Sequence, residues 1–219
     1  MTRRAVVFDL DGTLIDSLPD IANAANALLA EENLPPLPQD QIAGFVGLGE
    51  RVFLDRLIAA TALREAEYDT LLSRFVAQCT RHTGETRLFA GVPDALTALK
   101  DDGFALALCT NKPSGPLAAV LEAVGLDPWF DGVVAGDTLC VRKPAPDPLQ
   151  HAFALVGATH GVYVGDSETD AETAQRAGVP FLLFSEGIRS KSLTEIPNDE
   201  VFNAFSELPG LCRATMRAL

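Results

Sequence analysis

Five short apolar runs, at residues 5–8, 104–109, 132–135, 161–164 and 180–184, constrain this chain more than any other feature. Each is too short for a stable helix and almost continuously apolar, the pattern of a strand buried on both faces. From the second run onward they alternate with amphipathic helical segments at 93–100, 117–124, 148–156 and 169–177. Leu96 and Leu99 share a face of the first helix, which stops at Gly103; Gly125 and Gly178 close the second and fourth. In the third, Asp147 is expected as the N-cap, with Pro148 at the first helical position. Such alternation predicts an α/β fold: a doubly wound, mainly parallel, Rossmann-like sheet covered by helices on both faces. Crossovers should be right-handed, and a ligand should sit beyond the C-terminal ends of the strands, where the strand order reverses.

The stretch between the first and second strands breaks the alternation. Three apolar stripes follow the i, i+3, i+4, i+7 template of a helix. They run through Ile21, Ala24, Ala25, Leu28 and Leu29, then Phe53, Leu54, Leu57 and Ile58, then Tyr68, Leu71, Leu72, Phe75, Val76 and Cys79. A Pro-rich turn at 33–38 separates the first two. The expected organisation is a small helical cap at 16–87 inserted into an α/β core made of 1–15 and 88–219. Gly- and Pro-containing linkers at 14–19 and 84–93 suit a hinge. From about Glu195 onward the patterning weakens to a last strand and a surface helix.

Composition narrows the function classes. Of 219 residues 47% are hydrophobic, enough for a substantial core, and the formal net charge is −13. That charge disfavours nucleic acid and anionic membrane surfaces as partners. No stretch approaches the roughly 20 apolar residues of a membrane span, and Asp9 and Asp11 interrupt the N-terminal apolar run too early for a signal-peptide core. Cys79, Cys109, Cys140 and Cys212 show no paired spacing, and with His82, His151 and His160 widely scattered they form neither a zinc signature nor a disulfide framework. A reduced, cytoplasmic protein, monomer or homodimer, is expected.

Polar residues stand at strand ends where a core strand would prefer none. The first strand runs into Asp9-Leu10-Asp11-Gly12-Thr13, the second into Thr110-Asn111, and the fourth into Gly165-Asp166-Ser167, with Asp170 four residues after Asp166. Arg142-Lys143-Pro144 precedes the third helix, and Pro144 disfavours helix at Lys143. In a parallel sheet these ends share one rim. Asp9 and Asp11 lie two residues apart, and two unit charges at 4 Å repel by roughly 4 kcal/mol at an effective dielectric of 20. Asp9, Asp11, Asp166 and Asp170 against Lys143 leave an excess of negative charge that a phosphate dianion would not enter unaided. Mg²⁺, which takes a few carboxylate or carbonyl oxygens plus a substrate phosphate oxygen, fits that deficit. Metal-assisted phosphoryl transfer is the chemistry these residue types support. Ser167-Glu168-Thr169-Asp170 also reads as a capping box.

In this order and spacing, Asp9-Leu10-Asp11-Gly12-Thr13, Thr110-Asn111, Lys143-Pro144 and Gly165-Asp166-Ser167-Glu168-Thr169-Asp170 resemble the four motifs of the haloacid dehalogenase superfamily. The resemblance spans the chain and includes the helical insert. Asp16-Ser17-Leu18-Pro19-Asp20, the loop Gly44-Phe45-Val46-Gly47-Leu48-Gly49-Glu50-Arg51 and Lys143-Pro144-Ala145-Pro146-Asp147-Pro148 look most like phosphoglycolate phosphatases. The resemblance implies that Asp9 is a nucleophile forming an aspartyl-phosphate, and that Asp11 is a general acid and then base. The acid role asks for a pKa raised toward neutrality, which a neighbouring carboxylate can provide. It implies that Asp9, the Asp11 backbone carbonyl and Asp166 hold Mg²⁺, with Asp170 in support, and that Thr110, Asn111 and Lys143 hold the phosphoryl oxygens. Arg51 is the expected partner for a substrate carboxylate. Glu50, Arg142 and Arg189 flank the motifs and receive no role.

The expected activity is therefore Mg²⁺-dependent hydrolysis of a small phosphorylated metabolite, 2-phosphoglycolate first. A phosphosugar mutase resembling β-phosphoglucomutase is an alternative, disfavoured by Thr13 where such mutases carry a bulkier residue. A dehalogenase would leave Asp11 without an acid role. A receiver-type phospho-acceptor module also clusters aspartates with a Thr and a Lys, but is roughly half this length and has no helical insert.

Overall fold

A computed structural model of the chain describes residues 3–218. Its elements run β1 Arg3–Phe8, β2 Ile15–Asp16, α1 Leu18–Glu31, α2 Gln39–Ala43, α3 Glu50–Ala60, α4 Tyr68–Arg81, β3 Arg87–Leu88, α5 Val92–Asp101, β4 Ala105–Cys109, α6 Ser114–Val124, β5 Gly132–Val134, α7 Asp147–Leu155, β6 Ala158–Gly165, α8 Glu168–Ala177, β7 Phe181–Phe184, β8 Glu200–Phe202 and α9 Leu208–Ala218. Six strands form one sheet in the order β5-β4-β1-β6-β7-β8, and every pairing in it is parallel. The expected α/β class is what the chain adopts.

Alternate residues of each strand point to opposite faces, and the two cores sort accordingly. Val6, Phe8, Leu106, Leu108, Val162 and Val164 pack with α5, α6 and α9, whereas Ala5, Val7, Ala107, Cys109 and Tyr163 pack with α7 and α8. Small residues on the second face let α7 approach closely. A Cβ at Gly161 would lie 2.2 Å from the Phe153 ring and 2.3 Å from the Ala5 carbonyl oxygen. Near-continuous hydrophobicity was thus the signature of coverage on both sides, not of one especially greasy face.

The helices α1–α4 bury a cluster of their own through Ala24, Ala25, Leu28, Leu29, Phe53, Leu54, Leu57, Leu71 and Phe75. Phe53 and Phe75 stack at 4.5 Å between centroids. The two segments joining these helices to the sheet pair with each other: β2 and β3 run antiparallel, Ile15 opposite Leu88 and Asp16 opposite Arg87. Just beyond, the buried Asp20 carboxylate accepts from Glu85 N, Thr86 N and Thr86 Oγ1. The linkers are a hydrogen-bonded ribbon rather than two independent loops.

Two local expectations, for Asp147 and for the last helix, are corrected, and one short helix is added. Asp147 is the first residue of α7, preceded by Pro146, and caps nothing with its side chain. The five-residue α2 is too short for periodicity to reveal it. The last helix, expected on the surface, sends Leu208 and Cys212 into the core. Among the described residues no helix is long and apolar enough to cross a membrane.

Candidate active site

The strand order places β1 between β4 and β6, so the chain leaves the C-terminal end of β1 where the winding reverses. Phe8 pairs with Leu108 on one side and Val164 on the other. One step further, Asp9 is level with Cys109 and Gly165, and Thr110 and Asp166 follow immediately. Register alone therefore brings three of the expected residues to one point. They line a cavity of ≈ 80 Å³ together with Asp11, Asn111, Lys143 and Ser167. Side chains from the helical segment, among them Ile21, Val46, Phe53 and Phe75, close its other side.

Lys143 is the centre of charge. Its side chain is 2% exposed, and Nζ lies 2.7 Å from Asp170 Oδ1 and 2.9 Å from Asp9 Oδ1. It also donates to Tyr163 Oη at 2.8 Å. Burial opposes the ammonium charge, but Asp170 and Asp9 outweigh it and hold Lys143 above the ordinary lysine range. Asp170 accepts from Lys143 and Tyr163 on Oδ1, and from Ser167 Oγ, Ser167 N and Asp166 N on Oδ2. The expected capping box forms, so Asp170 both starts α8 and anchors the lysine. With both oxygens engaged, it has little left to offer a cation directly.

Asp9 is different. Its Oδ1 sits at ion-pair distance from Lys143 but makes no aligned hydrogen bond, and is buried. Burial pushes its carboxyl up to about 7, with Lys143 opposing and Asp170 reinforcing the shift. Asp166 is also pushed well up, first by burial and then by Asp170 and Asp9. It is held by Thr13 Oγ1 on Oδ1 and Ile188 N on Oδ2, each at 2.6 Å, leaving each oxygen a further lone pair. The approach is tight: at Gly12, where φ is +86°, a Cβ would lie 2.4 Å from Asp166 Oδ2.

Asp11 departs from expectation in its surroundings. Lys112 Nζ donates to both of its oxygens, at 2.9 and 3.2 Å, and Ser17 Oγ donates at 2.5 Å. Burial opposes the charge of Lys112, but Asp11 overrides it and holds the lysine above its usual value. With Lys112 counted, two ammonium groups face four carboxylates, and the deficit equals the charge of one divalent cation. Asp9, Asp166 and Asp170 each present an oxygen within 4.8 Å of the others. The donor set, the two up-shifted carboxyls and the buried Asp9 Oδ1, which makes no aligned hydrogen bond, fit a hard divalent ion.

Two expectations are redirected. Asn111 is at the rim, but its amide is fully used by protein: Nδ2 donates to Gly47 O and Lys143 O, and Oδ1 accepts from Lys143 N, all at 3.0 Å. It ties the lysine loop to the helical segment rather than offering donors to a ligand. Arg51 is exposed on α3 and does not line the cavity. Its neighbour Glu50 instead pairs bidentately with Arg142, at 2.6 and 2.7 Å, a second tie between the helical segment and the sheet rim. Sequence reasoning missed Lys112, Ser17 and Tyr163. Lys112 carried a signal, directly following Thr110-Asn111 at a strand end; Tyr163 sat inside an apolar run and read as core.

The haloacid dehalogenase-like hydrolase family model matches residues 6–184. A phosphoglycolate phosphatase from Cereibacter sphaeroides is 42% identical over 214 residues, covering 95% of this chain and 97% of its own. One from Caulobacter vibrioides is 38% identical over 212 residues, covering 94% and 90%. Among solved structures, a predicted phosphoglycolate phosphatase from Haemophilus somnus superposes with a TM-score of 0.90 at 28% identity, covering 96% of this chain and 98% of that one.

Proposed function

This chain belongs to the haloacid dehalogenase-like hydrolases, and from that premise we propose that it hydrolyses 2-phosphoglycolate to glycolate and phosphate through an aspartyl-phosphate on Asp9. The observation that carries the proposal is the buried Asp9 carboxyl at the end of β1, lining a cavity together with Thr110, Lys143 and Asp166 and lying 2.9 Å from the Lys143 ammonium. Support for the substrate comes from the relatives named as phosphoglycolate phosphatases over nearly their full length.

In the first half-reaction Asp9 attacks phosphorus while the bond to the ester oxygen breaks, and Asp11 gives its proton to that oxygen. In the second, water attacks the phosphorus of the acyl phosphate. Asp11 takes the water's proton, phosphate leaves, and the Asp9 carboxylate is restored. Lys143 and Thr110 face the transferring oxygens, where charge spreads in the transition state. Asp9 and Asp166 are the proposed direct ligands of Mg²⁺, with the Asp11 carbonyl, and Asp170 supports them by fixing Lys143. Bound Mg²⁺ supplies the positive charge that lets a phosphate dianion approach these carboxylates. Residues 16–87 act in this reading as a cap over a core of 1–15 and 88–219, excluding water before the acyl phosphate forms. The Glu50–Arg142 and Asn111–Gly47 ties are contacts of its closed position.

Steady-state phosphate release from a panel of small phosphomonoesters tests the reading. 2-Phosphoglycolate should give the highest kcat/KM; release that needs a sugar bisphosphate activator would mark a mutase, and none at all a phospho-acceptor module. Asp11→Asn should slow alkyl esters by about 100-fold or more and aryl esters with good leaving groups much less. Equal loss across a leaving-group series contradicts the acid role.

Metal binding has a signature independent of turnover. A carboxyl raised by burial stabilises the folded, metal-free chain fully below its ordinary value, and that stabilisation is lost as pH rises through the raised value. For Asp9 the window runs from 3.8 to about 7. A cation competes with the proton for the same oxygens. Mg²⁺ should therefore raise the unfolding temperature more at about pH 8 than at about pH 5, measured by circular dichroism melts. An equal or larger shift at the acidic pH contradicts the site.

A further inference from the structure

The cavity has a phosphoryl end, but the phosphoglycolate reading also needs a cation for the substrate's carboxylate, and Arg51 does not reach it. Among the described residues that line the cavity, the only cations are Lys112 and Lys143. Lys143, held by Asp9, Asp170 and Tyr163, belongs to the phosphoryl end. Arg142, just outside, is taken up bidentately by Glu50. Lys112 remains, and it is built to hold a carboxylate: its Nζ already grips the two oxygens of Asp11. An ammonium has three donors, and among the described residues no third acceptor meets this one. Its backbone is fixed at both ends, N–H to Thr110 Oγ1 at 3.1 Å and carbonyl from Gly136 N at 2.8 Å, so the side chain leaves from a rigid base.

We propose that Lys112 is the specificity-determining residue of this site, receiving the carboxylate that a small 2-phospho-carboxylic acid carries on its leaving group. The inference rests on the function proposed above and adds the residue that reads the substrate. Geometry favours it. Asp11 serves the ester oxygen, and in an O–CH₂–COO⁻ leaving group that oxygen lies roughly 3 Å from the nearer carboxylate oxygen, by standard bond lengths. The side chains serving those two atoms should be neighbours at about that spacing, and Asp11 and Lys112 are 2.9 Å apart. Of the other side chains here, Ile21, Val46, Phe53, Phe75 and Pro116 are apolar, and Glu50 is an anion already paired with Arg142, so none offers a carboxylate a partner. An uncharged alkyl group of the same size meets no such penalty.

The test is a ratio of ratios, which cancels whatever the substitution does to Asp11 for both substrates. kcat/KM is measured for 2-phosphoglycolate and for ethyl phosphate, which lacks the carboxylate, in the unaltered enzyme and in Lys112→Met. Loss of a charged hydrogen bond predicts that the preference for phosphoglycolate drops about 10- to 100-fold in the variant. Should Lys112→Met not fold, Lys112→Gln, which keeps a donor for Asp11, is read by the same ratio. A strong preference that survives removal of the lysine overturns the role of Lys112 and leaves the proposed function standing. No preference in the unaltered enzyme overturns both.

Discussion

Asp9→Asn is expected to lower kcat by at least about four orders of magnitude, as loss of a nucleophile does, while leaving the metal-free protein as stable as before or more so. The two halves of that result have one physical cause. Asp9 sits at the sheet centre with an oxygen that makes no hydrogen bond, and burial pushes its carboxyl up to about 7. At neutral pH the fold therefore holds a carboxylate it would rather protonate. The neutral amide has the same shape and removes that cost, but its weakly nucleophilic oxygen does not form an acyl phosphate. Phosphate release gives the first half and thermal melts without Mg²⁺ the second. Appreciable residual turnover would remove Asp9 from the nucleophile role. A large fall in melting temperature would mean that the charge supports the fold, and that the account of Asp9 as a costly buried charge is mistaken.

What could be read without coordinates followed from backbone rules. Asp9, Thr110 and Asp166 each follow an apolar run, and in a parallel sheet such positions converge whatever the side chains around them do. Ser167 and Asp170 were legible as a capping box because that motif is local, three residues apart. What escaped depended on pairings between remote side chains. Lys112 and Asp11 are 101 positions apart, and no periodicity links them. Asn111 was placed on the correct rim, but the use of its side chain by Gly47 was not foreseen, because it depends on how the helical segment sits over the sheet. Arg51 and Glu50 are adjacent on α3, yet only Glu50 turns toward the cavity, a difference of one helical step of about 100°. The last helix was misjudged because only a few of its positions are apolar, although Leu208 and Cys212 are fully buried.

Lys143→Met should cost about 3–5 kcal/mol of stability, the usual consequence of removing one partner from a buried ion pair, and about 10²–10³-fold in kcat. The lysine neutralises two buried carboxylates at once, from 2.7 and 2.9 Å. Methionine fills much of the same volume, so the loss is electrostatic and not a cavity. Its pH dependence separates it from a packing defect. Burial alone would raise the Asp170 carboxyl, but Lys143, with bonds from Ser167 and Tyr163, holds it below the usual range. A depressed carboxyl contributes stability above its ordinary pKa and loses it as pH falls. Without Lys143 that contribution is gone, and Asp9 and Asp170 instead gain stability by taking up protons. The gap between the unaltered and variant proteins should therefore be widest at about pH 8 and should narrow toward about pH 5, measured by urea denaturation without metal. A gap independent of pH would point to packing. A variant as stable as the parent would mean that Asp9 and Asp170 can be buried together without an ammonium between them, and the charge argument for this site would fall with it.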